Sequence, residues 1–474
     1  MTGSLQVMGN VGTITISLSL NAQNPTDQLV ITGNLTSLTV GTANTVAIHT
    51  LNLPVSVQGD LGTLTVNGRM LSALSVGGTL RTVTIGVDVA EAGVDLLTGN
   101  ITVGDSLTSL TLNNGNLAAD VVTGRNIGTV NLRNGNINTG AVIASLYGNV
   151  QSVSVTGGAM NGEIRAAMGK VSTLTTTGPG ADFGGILAAQ SAGTVTIAGN
   201  LLGTGMIDVD RDLSSLTVQG SVLSGADIEA GSLRTFNVTG NLAGDLDVGL
   251  MGITTLSLTV GGNWTPAPGT VQIDSDATIT VRGTLGVVGT PAVISLGRTL
   301  TTMNVTGQAI MHLLVDRHIG NLTVGSLRDS VITSGFDMTS LTINGLMQNS
   351  LIQAGISRGD DGVFATTLAG LDEGETSRLA TIGRMSTKGM ASSIVASGGN
   401  LTNFTSSASV TDSSISSGLV LGSVNIATVL ADGTPLASAG ERNTARRGNG
   451  AATDLMLYRS DLANLSLTAP AARG

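Results

Sequence analysis

GNVQSVSVTG (148–157), GKVSTLTTTG (169–178), SAGTVTIAGN (191–200), RDLSSLTVQG (211–220) and GSLRTFNVTG (231–240) are five versions of one phrase. Each carries an apolar residue, two spacers, then apolar–polar–apolar, and usually a glycine. The last apolar slot falls at Val155, Thr176, Ile197, Val218, Val238 and Leu258, at gaps of 21, 21, 21, 20 and 20 residues. Working outward, the phrase returns at GNLTSLTV (33–40), GDLGTLTVNG (59–68), RTLTTMNVTG (298–307) and DLANLSL (461–467). Alternation of period two marks each copy as a strand with one buried face.

A second short strand lies between copies, in GEIRAA (162–167), GGILAA (184–189), GADIEAG (225–231) and GDLDVG (244–249). Glycines and Asn-Gly or Asp-Gly steps mark the corners, where a positive φ is expected. Two strands in about 21 residues leave no room for a βαβ unit, which needs about 30. A hairpin meander would set unlike phrases side by side. Coiling once per repeat instead stacks each phrase on its own copy, with Val153, Leu174, Val195, Leu216, Phe236 and Leu256 as one interior column. The expected fold is therefore all-β, a right-handed parallel β-helix (β-solenoid) of about twenty or more rungs. It forms a single elongated domain over residues 1–474, with loop insertions at 356–378 and 431–457. Both insertions are expected to follow a strand of the second type and so to share an edge.

Composition narrows the function classes. The 474 residues include 67 glycines, 2% aromatics and 11% charged residues against 41% hydrophobic ones, so the chain is too apolar for disorder. Net charge is −10 and the lysines are Lys170 and Lys388, which leaves no basic stripe for nucleic acid. With no cysteine there is no disulfide, thiolate metal site or Cys nucleophile. No apolar run reaches the roughly 18–20 residues of a membrane span, and the N-terminus has no signal-peptide pattern.

The repeat, with SLIQAGISRGDDGVF (350–364) in particular, resembles the β-helical repeat regions of large secreted bacterial surface proteins of adhesin-like character. That resemblance implies an extracellular or cell-surface setting of bacterial type and carries over no catalytic residue. The expected function is a non-catalytic structural or adhesive rod. Its partners would be surface polysaccharide or further copies joined head to tail, because neither end shows a capping helix over the open apolar column.

The acidic residues are the candidate chemistry. Asp208, Glu229, Asp247 and Asp274 each follow an inward apolar residue, at Ile207, Ile228, Leu246 and Ile273, flanked by Asp227 and Asp245. Carboxylates stacked at about 4.8 Å repel by about 1 kcal/mol per pair in water, which a bound cation would relieve. Calcium is the candidate ligand there, and also at Asp360 and Asp361 of the first insertion, although EF-hand spacing is missing. The ordinary alternative at both places is a solvated acidic surface. Carboxylates on neighbouring rungs also approach the roughly 5 Å separation of retaining glycosidases. With Trp264 in GGNWTPAPG as a candidate sugar contact, a polysaccharide lyase or glycoside hydrolase stays open as the alternative. His312 and His318 read as two corner histidines, and His49 stands alone. Outward Thr or Ser pairs such as Thr13/Thr15, Thr63/Thr65 and Thr194/Thr196 form a Thr-x-Thr-like file. It resembles the ice-binding face of some antifreeze proteins, while threonine on an exposed strand is ordinary in itself.

Overall fold

The computed structural model describes residues 4–43, 48–87, 93–249, 255–267, 269–355, 379–411, 413–417, 420–426, 455–458 and 461–467. Among these residues there is no helix, and the strands stack in parallel as a β-solenoid of about 18 turns. The chain forms two compact units, Met1–Asn237 (unit 1) and Val238–Gly474 (unit 2).

A turn of unit 1 has three segments rather than two. Val150–Thr156 lies in the long-phrase sheet, here the first sheet. After the corner, Met160 makes a single parallel bridge to Ile137 below and Phe183 above. Glu163–Ala166 then pairs with Val142–Ser145 in the second sheet, and the same strand bends directly into the next long phrase. The third row was hidden in the sequence because one inward residue per turn leaves no alternation to read. In the earliest turns it is a separate five-stranded sheet, from Leu20–Asn21 to Asn116–Leu117, and in unit 2 it pairs again over two or more residues per turn from Ala309 to Val410.

The interior follows the phrase. Val153, Leu174, Val195 and Leu216 are in register and fully buried, as expected. Thr176 occupies an inward slot between Val155 and Ile197, and its hydroxyl is satisfied by donating to the Ala181 carbonyl at 2.7 Å. Each buried Val, Leu or Ile contributes about 1.5–3 kcal/mol. The expected columns slip at one point. Leu258 stacks on Ile279 and then Met303, in the middle column, and Val260 takes the last slot with Val281 and Val305. The reason is local: Leu256, Leu258 and Val260 alternate with one spacer, and the second spacer returns only where the register breaks between Ala277 and Thr278.

Corners close by a side-chain ladder. Asn34 N–H donates to Asn10 Oδ1 at 2.8 Å, Asp60 N–H to Asn34 Oδ1 at 2.8 Å and Thr79 N–H to Asp60 Oδ1 at 2.8 Å. The glycines before Asn34 and Asp60 are there for clearance rather than for positive φ: a Cβ on Gly33 would sit 2.5 Å from the Gly9 carbonyl carbon. Positive φ occurs at Gly9, before Asn10, and at residues such as Asn114 and Asn134 (65° and 54°) at the end of first-sheet strands.

One of the two expected insertions follows a second-sheet strand as expected, and the other does not. Residues 356–378 lie outside the described residues, between the second-sheet strand Leu351–Ala354 and the first-sheet strand Ile382–Ala391. The other begins after Val420–Ile426, which pairs with Leu401–Ser406 of the first sheet, and its last residues belong to the strand Leu455–Tyr458. Leu421-x-x-Val424-x-Ile426 is itself a copy of the long phrase, so the two stretches leave from different corners.

Candidate functional site

In the first sheet of unit 1 the inward residues Leu35, Leu38 and Val40 force Ser37 and Thr39 outward. The same alternation repeats in register from turn to turn. One file runs Thr13, Ser37, Thr63, Thr82, Ser109, Thr129, Ser152, Thr173, Thr194 and Ser215. Beside it run Thr15, Thr39, Thr65, Thr84, Thr111, Asn131, Ser154, Thr175, Thr196 and Thr217. Every position but Asn131 carries a hydroxyl, and none carries a charge. Hydroxyls bond between turns, as Ser37 Oγ does to Thr13 Oγ1 at 3.0 Å and Thr129 Oγ1 to Ser109 Oγ at 3.2 Å. At about 4.8 Å per turn and roughly 6.6 Å between files, the array is a grid on the order of 40 Å long. Unit 2 keeps one file and breaks the other. Thr259, Thr280, Asn304, Thr323, Thr342, Ser386 and Thr405 carry a hydroxyl at all but Asn304, whereas Ser257, Thr278, Thr302, Asn321, Ser340, Arg384 and Asn403 bring in two asparagines and a charge.

The acidic residues do not form one column of four. Asp208 and Glu229 belong to unit 1, and Asp247 and Asp274 to unit 2. Asp208, between the buried Ile207 and Val209, has Ala188 as its partner on the preceding turn. Burial chiefly, with Asp210 and Asp227 adding repulsion, pushes its carboxyl above the ordinary carboxylate range. Glu229 is exposed and Asp227 half-buried. In unit 2, Asp247 pairs with Gln272, and Gln272 with Ser295. Asp274 therefore sits two residues beyond the stacking position, accepting from Gln272 Nε2 at 3.2 Å through Oδ2. The sequence alignment failed there because Ile273 matches Val248, not Leu246. Asp245 is half-buried at the start of the Asp247 strand. Asp360 and Asp361 lie outside the described residues. Among the described residues, no three His, Asp or Glu side chains are grouped so as to hold a metal.

Trp264 is a core residue and offers no ring face to a sugar. It is fully buried in the third row, bridged to Leu242 and Leu285, and its Nε1 has no hydrogen-bond partner. The corner ladder puts it there, since Asn263 takes the position before the inward slot, as Asn241 does before Leu242. The two candidate histidines are apart in role. His312 lies in a second-sheet strand between Val293 and Val331, where burial lowers its pKa. His318 packs on Phe336 with centroids 5.1 Å apart, and its Nδ1 is 3.9 Å from Asp337 Oδ2. His49 is buried in the third row.

The sequence reading also missed a file of buried serines in unit 2, at Ser330, Ser350, Ser393 and Ser413. Its signal was the recurring Asp-Ser, Asn-Ser or Ser-Ser step ahead of the second strand, in RDSVITS, QNSLIQA, ASSIVAS and TDSSISS. No protein-family model, curated protein or solved structure matches the chain.

Proposed function

We propose that the chain is a non-catalytic structural and adhesive β-solenoid of the cell surface or extracellular space, with the hydroxyl face of unit 1 as its contact surface. The in-register array from Thr13 to Ser215 carries this reading. It presents neutral donors and acceptors at a fixed repeat, holds no residue suited to proton transfer at neutral pH, and is backed by a close-packed interior. Such a face suits a partner that repeats as well, of which surface polysaccharide is the example. The test is binding of the whole chain to immobilised surface polysaccharide, with Thr65→Lys, Thr84→Lys and Thr111→Lys combined. A drop of tenfold or more with an unchanged melting temperature is expected. Equal binding by the folded triple variant would sink the proposal.

A second reading, ice binding, draws on the same grid, because threonine offers a methyl and a hydroxyl at each point. Arrest of ice growth by the wild type and its loss in the triple variant would favour it over polysaccharide. The polysaccharide-degrading alternative has less support, since Trp264 is interior and Asp274 is off the Asp247 position. Calcium is proposed as a stabiliser at Asp208, where a cation would offset burial and the charges of Asp210 and Asp227. A calcium-dependent rise in melting temperature, reversed by EDTA and absent in Asp208→Asn, is the expected result.

A further inference from the structure

The four serines of this file are each bonded at least twice. Within a turn, Oγ of Ser330, Ser350, Ser393 and Ser413 donates to the carbonyl two residues earlier, at Arg328, Gln348, Ala391 and Thr411, every time at 2.7 Å. Between turns, the same oxygens accept backbone N–H groups from the turn before. Met311 N–H reaches Ser330 Oγ at 2.9 Å, Ser330 N–H reaches Ser350 at 3.3 Å, Ser350 N–H reaches Ser393 at 3.1 Å and Ser393 N–H reaches Ser413 at 3.1 Å. The residue before each of the first three, Asp329, Asn349 and Ser392, holds a positive φ of 45–47° that aims the hydroxyl inward. The equivalent slot in unit 1 holds Ala141, Gly162, Gly185, Gly205 and Ala226, none with a hydroxyl; the N–H after the slot goes to a backbone carbonyl at Glu163, Ile186, Met206 and Asp227, as Glu163 N–H does to Ala141 O at 2.8 Å, and to Asp120 Oδ1 at 3.2 Å at Val142.

The ladder runs across the point where the repeat is interrupted. Most of its rungs join residues 19 or 20 apart, but Ser350 N–H to Ser393 Oγ joins residues 43 apart, across 356–378. A second bond spans the same stretch, from Thr381 N–H to Asp337 Oδ1 at 2.7 Å. On the far side the register is intact, with Leu351 on Ile394, Ile352 on Val395 and Ala354 on Ser397. Apolar alternation alone forbids a slip of one residue, which would turn the inward set outward. It does not forbid a slip of two. A slip of two would put Ala391 or Val395 at the ladder position, leaving the buried Ser350 N–H without its acceptor, at about 1–3 kcal/mol.

We infer that the Ser330–Ser413 ladder is a register clamp that makes the turn between Gly355 and Leu379 a permissive site, one where the solenoid carries a long stretch of chain without losing its stacking. Two measurements on the full chain test this. In Ser393→Ala, amide exchange at Ser350 and along Leu351–Ala354 and Ile394–Ser397 speeds up at least tenfold, unit 1 amides are unchanged, and Ser393→Thr restores protection. Replacing 356–378 with a Gly/Ser linker leaves these amides protected in the wild type but not in Ser393→Ala. Unchanged exchange in Ser393→Ala overturns the inference, as does lost protection after linker replacement in the wild type. If Ser393→Ala fails to fold and Ser393→Thr folds, the hydroxyl is the requirement and the inference stands. If neither folds, the requirement is packing and it falls.

Discussion

Unit 1 points its hydroxyls outward, where Thr13 and Ser37 bond across turns, while unit 2 turns many of them inward onto its own backbone, as at Ser350. The same repeat therefore uses one side-chain group in two ways. Outside, a hydroxyl costs little to bury halfway and leaves its capacity for a partner. Inside, it must be fully satisfied, and the satisfied ladder then specifies alignment. The regular turns of unit 1 have no buried hydroxyl ladder at this slot, and the Asn and Asp ladder of their corners, with the backbone bonds, aligns them. The interruption of the repeat is what coincides with the buried serines.

The largest expected effect breaks the comparison most directly. Trp264→Ala should cost about 3–5 kcal/mol, measured by denaturant unfolding, with amide protection lost around Leu242 and Leu285 and kept in unit 1. Equal loss in unit 1 would mean that the two units unfold as one block. Next, Ser350→Val should destabilise by about 1–3 kcal/mol, because Ser330 N–H loses its acceptor in a buried place. The converse exchange should fail as well. A Cβ at Gly185 would lie 2.0 Å from the Gly162 carbonyl oxygen, so Gly185→Ser should cost about 1–3 kcal/mol through backbone displacement. Smaller still, Thr84→Val on the outer grid should change stability by less than about 0.5 kcal/mol while weakening binding to the partner.

The remaining effects are titrations of opposite sign. Asp208 has a raised folded pKa, so its charged form is a burden at neutral pH and stability is gained as pH falls through that pKa. Asp208→Asn should stabilise by less than about 1 kcal/mol at pH 7 and abolish the acid-side gain. His312 has a lowered folded pKa, so the unfolded chain takes its proton first and stability is lost as pH falls below about 6.5. His312→Gln should remove that loss. Melting curves from pH 3 to 8 would separate the two.

What the sequence made legible was whatever repeats with alternation. The long phrase placed Val153 on Leu174 and Thr173 on Thr194 without error, since two inward residues and a fixed period leave one alignment. Where the spacing changes the reading slipped, as at Leu258, which has lost one spacer, and at Asp274, which was matched to the wrong inward residue. The third row was missed because Met160 or Phe183 stands alone in its turn. Trp264 reads as a candidate sugar contact or a loop anchor because loops with proline and glycine read as exposed, yet its neighbours in space are one turn away. The buried serines resemble surface serines in every respect but their stacking.

The corner ladder has a consequence for how such a chain can vary. Only one oxygen of each ladder side chain is needed by the next turn, and an amide or a carboxylate supplies it equally: Asn10, Asn34, Asn126 and Asn149 do so, and so do Asp60, Asp182, Asp276 and Asp337. Exchanging one for the other alters charge but not the bond that stacks the turns. A lineage of such sequences can drift in overall charge, following the salt or acidity of its surroundings, while the fold beneath is left untouched.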